Sequence, residues 1–478
     1  MSSIIFGLIA YLLFLIFVAF YAYRLNETLD DFLLAGRKLG IWVVTFSERA
    51  SGESAWLLLG LPGVLYASGL LELWVAIGCT SGILFSWMVI AKPLREQTGK
   101  YNALTLPDFL ESRFRDDTHA LRIFASIVIT FFFTFYVCAQ FMAAGKLFSL
   151  FLPITDVQAM LIGGGIIIFY TLMGGFFAVA WTDFVQAILM ISTLVILPIV
   201  ALYEIGGWDK AISQIAIANP SHLDILGGKA GIAAALSVIS GLAWGFGYMG
   251  QPHLLTRFMA AKNPEDMRKG AVIGISWAVV AFWGAMFIGL FGTVLLANNP
   301  DVIADQEKVM PLMAMKLVPG WLAGILLAGA LAAMMSTADS QLLVTTSALS
   351  EDIYHQLMNK RACQKTLVKM SRIITFAVGI AAFIIALLTK ELVFKMVGFA
   401  WSGLGASFGP VLLLTLWWKK MTREGALAGM ICGTIVTIIW RLTPALVTTL
   451  FEIVPAFILA FIACVIVSLM SQPAAKKA

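Results

Sequence analysis

The sequence predicts an all-α polytopic membrane protein of about 13 transmembrane helices. Of its 478 residues, 60% are apolar and only 12% are charged, which is about half the charge of a soluble domain. Apolar stretches of about 20 residues, long enough to cross a bilayer as helices, recur along the whole chain. Two of these stretches are interrupted by polar residues, glycine and proline. We therefore expect one transmembrane domain over residues 1–478.

The spans follow one another with short connections. The first has no basic residue before it and is long enough to cross the membrane, so we expect a membrane helix there and not a cleaved signal peptide. We place the 13 spans, to within a few residues, at 3–23, 41–68, 70–92, 122–151, 157–180, 183–206, 230–250, 270–297, 319–348, 371–389, 392–418, 424–442 and 446–470.

Lysine and arginine residues are distributed unevenly between the two sides of the membrane. Connections after odd-numbered spans, with the C-terminal tail, hold 23 of the 32, connections after even-numbered spans hold 8, and Arg49 lies within a span. Basic residues are retained on the cytoplasmic side. We therefore expect a plasma membrane protein (the inner membrane, in a bacterium) with its N-terminus outside and its C-terminus in the cytoplasm.

The second and seventh spans are interrupted. Residues 45–55 read TFSERASGESA, and residues 244–253 read WGFGYMGQPH. Unwound backbone persists in a membrane only where protein or a water-filled cavity satisfies its polar groups. Two breaks five spans apart indicate two five-helix repeats of inverted topology, at about 41–206 and 230–418, with peripheral helices at 3–23, 424–442 and 446–470. In such folds solute and ion bind where the broken helices meet.

The ninth span carries a second polar cluster. Ser336, Thr337 and Ser340 lie on about one face of a helix. These hydroxyl groups, with carbonyl groups left unpaired by the break in the second span, would suit a monovalent cation. The alternative is that the hydroxyl groups bond back to the preceding turn of their own helix.

Charged residues at bilayer depth are costly and need an explanation. Arg49 and Glu53 are spaced i, i+4, so they form either a structural ion pair or a site in which Glu53 is a coupling carboxylate that takes a proton. Asp339 is ambiguous in the same way. Asp183 follows Trp181 and Thr182 at the start of the sixth span, where we expect it to cap the helix N-terminus.

Three aromatic residues on or beside the interrupted helices are candidates for a solute pocket, namely Tyr136, Trp244 and Tyr248. Half-helix N-termini can receive a carboxylate and aromatic faces can receive an ammonium group, so the pocket suits a small zwitterion. We expect membrane lipid as the other partner, and no protein partner is evident.

The sequence argues against several classes of function. A net charge of only +5 gives no electrostatic footprint for nucleic acid. The five scattered cysteines predict neither a disulfide framework nor a zinc site. No HExxH or Walker pattern is present, so we expect neither an enzyme nor an ATP-driven pump, and no transition metal.

Several blocks of the sequence resemble one known family. They are DFLLAGR at 31–37, WLLLGLPG at 56–63, ALTLPD at 103–108, GGFFAVAWTD at 174–183, the segment 244–257, MST at 335–337, QLLV at 341–344 and ED at 351–352. By these blocks the chain is identified as a member of the sodium:solute symporter family, and it is most similar to the sodium/proline symporter branch.

The resemblance implies a LeuT-like five-plus-five core of spans 2–11 with one extra helix before it and two after it. It implies a sodium site made by backbone carbonyl groups of Ala50, Glu53 and Ala333 with the hydroxyl groups of Ser336 and Thr337. It also implies a substrate cavity near Ser54, Ala55, Trp56, Tyr136, Trp244, Tyr248 and Pro252. Arg37 and Asp183 match positions tied to function on the cytoplasmic side.

The chain departs from this branch at the first break. Related symporters read Ala-Ser-Asp-Met-Ser-Gly-Trp where this chain reads ASGESAW at 50–56. The acid has moved by one residue, Arg49 stands where a small residue is usual, and Asp339 is an added charge. We therefore treat Arg49 and Asp339 as candidate coupling or gating residues together with Arg37 and Asp183.

Three hypotheses follow. The first is a secondary transporter that imports a small amino acid, proline first, with Na⁺ by alternating access. The second keeps the fold but couples transport of an amino acid or related solute to H⁺, carried by Glu53 or Asp339. The third is a membrane protein that senses a solute without transporting it, which is disfavoured because no connection is long enough for an output domain.

Overall fold

The computed structural model describes residues 2–23, 34–173 and 175–472. All regular elements in these ranges are helices, apart from one isolated bridge between Leu39 and Ala261. The expectation of an all-α protein is therefore confirmed. The sequence block at 31–37 begins outside the described residues, and so does Gly174 of the block at 174–183.

In the described residues of the first half there are ten α-helices. They are α1 (Ser2–Tyr23), α2 (Ile41–Gly52), α3 (Leu61–Ser68), α4 (Leu73–Phe85), α5 (Lys92–Lys100), α6 (Leu106–Phe114), α7 (Ala120–Phe148), α8 (Asp156–Met173), α9 (Phe176–Ile205) and α10 (Trp208–Ala218). A π-helical turn at Trp56–Gly60 leads into α3, and another at Ser86–Ala91 joins α4 to α5.

The second half contains twelve more, all within residues up to 472, where the described part ends. They are α11 (Gly231–Leu242), α12 (Trp244–Gly247), α13 (Pro252–Ala260), α14 (Met267–Leu295), α15 (Pro300–Ala304), α16 (Val309–Leu317), α17 (Gly320–Ser347), α18 (Gln364–Leu388), α19 (Val393–Trp417), α20 (Arg423–Leu442), α21 (Pro444–Val447) and α22 (Ile453–Met470). A π-helical stretch at Ala348–Met358 extends α17.

Within the described ranges, nine helices are long and apolar enough to cross a membrane, or ten if the bent pair Gly231–Gly247 and Pro252–Ala260 is one span. One of these nine helices is the long segment Trp56–Lys100. It is interrupted at Gly69, whose φ of 65° is not helical. The helical segments fall where the sequence predicts spans, but the count of 13 stays a prediction.

One boundary prediction is wrong. The fifth and sixth spans were expected at 157–180 and 183–206, whereas α8 ends at Met173 and α9 begins at Phe176, after Gly175 in an extended conformation. The glycine pair divides the apolar run, so residues 176–182 belong to the next helix. Asp183 consequently lies inside α9, about two turns from its start, and does not cap the helix.

The packing shows how the two interrupted helices run. Along α4, Trp74, Gly78 and Gly82 meet Gly241, Leu242 and Gly245 in the same order, so α4 lies parallel to α11 and α12. Along the second span the order is reversed. Gly52 lies beside Leu254, Glu53 bonds Tyr248, and Trp56 stacks on Trp244.

The two interrupted helices therefore pass each other in opposite directions. The second span and α4 are antiparallel as well, with the chain reversing near Gly69, where a β-carbon would lie 2.3 Å from the Cα of His222. Opposite directions are what inverted repeats require. The repeat boundaries at about 41–206 and 230–418 stay a prediction.

Candidate functional site

The site is built on two helix breaks. The first break is Glu53 and Ser54, between α2 and the π-helical turn, and the second is residues 248–251, between α12 and α13. At the second break the axis bends by 41°, and Pro252 starts α13 because it has no N–H group to give to the preceding turn. Both breaks lie where the sequence predicts them.

Helix α17 crosses the first break and contributes hydroxyl groups to it. Ser336 Oγ donates to the carbonyl oxygen of Ala50 at 2.9 Å and lies 3.2 Å from that of Ala333. Thr337 Oγ1 donates to the carbonyl oxygen of Ser51 at 3.0 Å. Five oxygen atoms thus gather where α2 ends, without any charged group among them.

This oxygen cluster contains four of the five residues that the resemblance implies for a sodium site. The fifth, Glu53, makes its contacts here through its side chain, with Arg49 and Tyr248. Sequence reasoning missed Ser51, although its carbonyl lies in the last turn of α2, where a broken helix leaves carbonyl groups without intrahelical partners. Hydroxyl hydrogens rotate freely, so these groups can turn their lone pairs to a hard cation.

Beside the oxygen cluster lies a buried charged triad, Glu48, Arg49 and Glu53. Arg49 binds both carboxylate oxygens of Glu48 through Nε and Nη2, and its Nη1 donates to Glu53 Oε1 at 2.9 Å. Tyr248 Oη donates to the same Glu53 oxygen at 2.8 Å, and Trp87 Nε1 donates to Glu48. The ion pair between Arg49 and Glu53 is therefore present, and it joins the two breaks through Tyr248.

A second buried network, which we call the inner network, consists of Ser47, Ser51, Asp183, Arg257 and Ser340. Arg257 Nη2 donates to Asp183 Oδ2 at 2.9 Å, and Ser47 and Ser51 donate to the same oxygen at 2.7 and 3.0 Å. Arg257 also bonds Ser340. All five side chains are fully buried, and Asp183 is the anionic centre of a hydrogen-bond network that links α2, α9, α13 and α17.

Sequence reasoning missed Arg257 as a site residue. It lies in α13, one turn after His253, and its guanidinium group also donates to the carbonyl oxygen of His253 at 2.8 Å. The available signal was an arginine that follows the second break by only a few residues. Asp339 is buried next to the inner network, and its Oδ1 accepts from Ser340 Oγ at 3.2 Å.

Aromatic rings close the other side of the breaks. Trp56 stacks on Trp244 with ring centroids 5.1 Å apart, and Trp244 stacks on Phe451 at 5.1 Å and packs against Phe394 at 4.8 Å. We call these four residues the aromatic cover. Above them a cavity of about 630 Å³ opens, and Trp244, Phe394 and Phe451 line it.

The remaining predicted substrate residues lie beneath the cover. Ser54, Ala55, Tyr136, Tyr248 and Pro252 are all buried. The N–H group of Ala55 donates to the side chain of Gln140 at 3.1 Å, which ties α7 to the first break, and the hydroxyl group of Tyr136 lies beside Ser54.

Arg37 is the predicted residue that the fold keeps away from this centre. It is half-buried, and its guanidinium group donates to the carbonyl oxygens of Thr98 and Ala103 at 3.3 and 2.7 Å. These two hydrogen bonds link the segment before α2 to the end of α5 and to the connection between α5 and α6. A role for Arg37 in gating would act through that connection.

This chain is similar in sequence to one family of known proteins. A model of the sodium:solute symporter family matches residues 32–433. The high-affinity proline transporter PutP of Bacillus subtilis is 39% identical over 459 residues, covering 96% of both chains. The sodium/proline symporter of Escherichia coli is 39% identical over 467 residues, covering 97% of this chain and 92% of the relative.

Solved structures agree on the fold. A Na⁺-coupled sialic acid symporter, in a substrate-bound outward-open state, matches 98% of both chains with a TM-score of 0.81 at 18% identity. MhsT in complex with L-phenylalanine matches 89% of this chain with a TM-score of 0.54. The expectation of a LeuT-like membrane fold is thereby confirmed.

Proposed function

We propose, from the premise that this chain belongs to the sodium:solute symporter family, that it imports a small amino acid, proline first, together with sodium. Two relatives that match over almost the whole chain are a proline transporter and a sodium/proline symporter. The observation that carries the proposal is the contact of Ser336 Oγ with the carbonyl oxygen of Ala50 across the first break.

The cation site explains how ion binding would assist solute binding. Sodium would take its oxygen ligands from α2, through Ala50 and Ser51, and from α17, through Ala333, Ser336 and Thr337. The same end of α2 leads directly into Ser54 and Ala55 of the candidate solute site. An ion that fixes this end orders the solute site, so each ligand raises the affinity for the other.

Alternating access requires that the two sides of the site open in turn. The aromatic cover closes the site beneath the 630 Å³ cavity, and the inner network closes it on the opposite side. Opening outward would displace Trp244 from Trp56. Opening inward would separate α13 from α9, and with them the guanidinium group of Arg257 from Asp183.

The orientation proposed from lysine and arginine agrees with the cavity. Its rim carries Lys229 and Glu391, which lie in connections after even-numbered spans, and Glu72 and Glu452, which lie near the starts of the third and thirteenth spans, directly after such connections. These connections are the ones assigned to the outside by the positive-inside rule. We therefore propose an inner-membrane protein whose N-terminus and 630 Å³ cavity face outward.

Asp339 supports proton coupling as the alternative. Its Oδ2 is buried and has no hydrogen-bond partner in the described part of the chain, which is a costly arrangement for a charged group. A proton on Asp339 would remove that cost. In this alternative the solute and the fold are unchanged, and H⁺ replaces Na⁺ as the coupling ion.

Counterflow in proteoliposomes tests the proposal. Vesicles loaded with unlabelled amino acid should accumulate labelled L-proline above a panel of other amino acids, and sodium should stimulate this exchange at every pH. Exchange of proline that needs no sodium, follows pH and is lost in Asp339→Asn would establish the alternative instead. Solute binding without any exchange would show a sensor.

A further inference from the structure

The charges around the first break do not balance. Glu48, Arg49 and Glu53 are each at most 1% exposed, and together they carry one net negative charge. The other buried arginine nearby, Arg257, is engaged with Asp183 in the inner network. An uncompensated charge in a low-dielectric interior is expensive, so the triad calls for one further cation.

The geometry of the triad shows which of the two carboxylates is bonded less completely. Arg49 forms a two-pronged pair with Glu48, which is the strong arrangement of guanidinium and carboxylate. Glu48 also accepts from Trp87. Arg49 has one remaining donor for Glu53, and it points to Oε1, which already accepts from Tyr248. Both carboxylate oxygens of Glu48 are thus bonded, whereas only one of Glu53 is.

The second oxygen of Glu53, Oε2, is buried and meets no hydrogen-bond partner among the residues that the structure describes. Glu53 itself forms the first break, immediately before Ser54 and Ala55, and its neighbour Tyr248 opens the second break. The stacked rings of Trp56 and Trp244 lie over this point. An unsatisfied acceptor therefore sits in the place where the two breaks meet.

We propose that Glu53 Oε2 receives the protonated amine of the transported solute, so that Glu53 restricts transport to solutes with a cationic nitrogen that carries a hydrogen atom. This inference rests on the proposed function. The amine supplies both the missing positive charge and the missing donor. The carboxylate of the same solute can lie near the start of the helix after Ser54, where the helix dipole favours an anion; the N–H groups of Ala55 and Trp56 there donate to Gln140 and Ser54.

The surroundings of Glu53 favour an amine over a second sodium ion. A sodium ion needs several oxygen ligands, and the hard-cation oxygens of this region are already gathered at Ser336 and Thr337. The guanidinium group of Arg49, with Nη1 2.9 Å from Oε1, repels any cation. An ammonium group can nevertheless direct one N–H bond to the single unbonded oxygen Oε2, whereas one oxygen does not complete a sodium site.

Competition against counterflow tests the inference in the unmodified protein. The probes are L-proline and tetrahydro-2-furoate, which keeps the ring and the carboxylate but has oxygen in place of the amine. We expect tetrahydro-2-furoate to compete at least about 100-fold more weakly than proline, because a buried acceptor is left unpaired. If tetrahydro-2-furoate competes within about 10-fold of proline, this result in the unmodified protein alone would overturn the inference.

Two variants assign the effect to Glu53. In Glu53→Gln the KM for L-proline should rise about 100-fold, and the preference for proline over tetrahydro-2-furoate should largely vanish. The half-saturating sodium concentration should change less than about threefold. Glu53→Asp keeps the charge and should retain the preference. Glu452→Gln, a buried carboxylate at the cavity rim, is the matched control and should retain it too.

The outcomes separate this inference from the proposed function. If no amino acid undergoes counterflow in the unmodified protein, the proposed function fails. If proline is exchanged but Glu53→Gln keeps its KM and its preference, only the inference is overturned. A loss of sodium affinity alone, or of pH dependence alone, would assign Glu53 to an ion and would overturn it as well.

Discussion

Ser336 and Thr337 differ from hydroxyl residues such as Thr130 and Ser192 in where their oxygens point. Thr130 and Ser192 bond only the carbonyl oxygen four residues earlier in their own helices, which is the usual arrangement in membrane helices. Ser336 and Thr337 reach across to the end of α2, and Ser336 also lies near the carbonyl oxygen of Ala333 in its own helix. This cross-helix contact favours the cation-site interpretation over the back-bonding alternative that the sequence left open.

Replacing Ser336 by alanine should weaken sodium binding more than solute binding. The substitution removes one oxygen of the oxygen cluster while leaving Glu53, Tyr248 and the aromatic cover intact. We expect the half-saturating sodium concentration to rise about 10-fold or more, equivalent to about 1.4 kcal/mol, with a smaller change in the proline KM at saturating sodium. Sodium titration of uptake measures both quantities.

Ser192→Ala is the control for this prediction. Its hydroxyl group bonds Ile188 within α9 and is exposed on the helix surface, so its removal should leave the sodium titration unchanged. An equal shift in both variants would show that the loss comes from general damage to the helices. No shift in Ser336→Ala would remove Ser336 from the cation site.

The sequence left two interpretations of Arg49 and Glu53 open, a structural ion pair and a functional site. The i, i+4 spacing predicts the contact with Glu53, and the structure has it. Spacing gives no hint that Arg49 would bind its immediate neighbour Glu48 with two bonds, because adjacent residues do not face each other on a regular helix. The choice depends on side-chain rotamers, and those are set by Trp87 and Tyr248 from other helices.

At the scale of elements, glycine contacts position the second break. Gly82 of α4 and Gly245 of α12 meet so closely that a β-carbon on Gly82 would lie 2.2 Å from the carbonyl oxygen of Gly245, and one on Gly245 would lie 2.3 Å from that of Gly78. Small residues permit such close approach of membrane helices. The backbone of α12 can therefore lie directly against α4.

Gly82→Ala should lower both stability and transport. The added methyl group would meet backbone and not a flexible side chain, so α4 and α12 must separate, and Trp244 in α12 would shift from the aromatic cover. We expect the apparent unfolding temperature in detergent to fall by several degrees, as for about 1–3 kcal/mol of overpacking. Proline uptake should fall in parallel.

Gly165→Ala is the matched control. A β-carbon at Gly165 in α8 meets nothing within 4 Å, and alanine is a better helix former than glycine by about 1 kcal/mol. Its unfolding temperature should stay the same or rise. If Gly82→Ala behaves like Gly165→Ala, the close approach of α4 and α12 is not what positions the second break.

Helix boundaries were predictable where polar residues punctuate the chain and not elsewhere. The ends of α14, α19 and α20 lie within a few residues of the predicted spans, because charged residues flank them. Between α8 and α9 the only punctuation is Gly174 and Gly175 within a continuous apolar run, and hydropathy does not distinguish a turn there. The prediction therefore placed Asp183 at a helix end, although it lies in the interior.

At the scale of the whole molecule, the sequence predicted the family, the membrane and the breaks, because each leaves a local record in composition or in ordered motifs. It could not predict that the site is closed on both sides. Closure depends on rings from four distant segments, at Trp56, Trp244, Phe394 and Phe451. It also depends on the contact of Arg257 with Asp183 between helices. Such contacts between remote positions are created only by the packed fold.

The central claim is that sodium drives import of a neutral amino acid, and the current evoked by proline on a supported membrane of proteoliposomes tests it most directly. Proline carries no net charge at neutral pH, so any current reports the coupled ion. We predict a transient inward positive current when proline is added in sodium, none in choline, and a reduced one in Ser336→Ala at low sodium. A current of equal size in choline that follows the pH gradient would contradict the account.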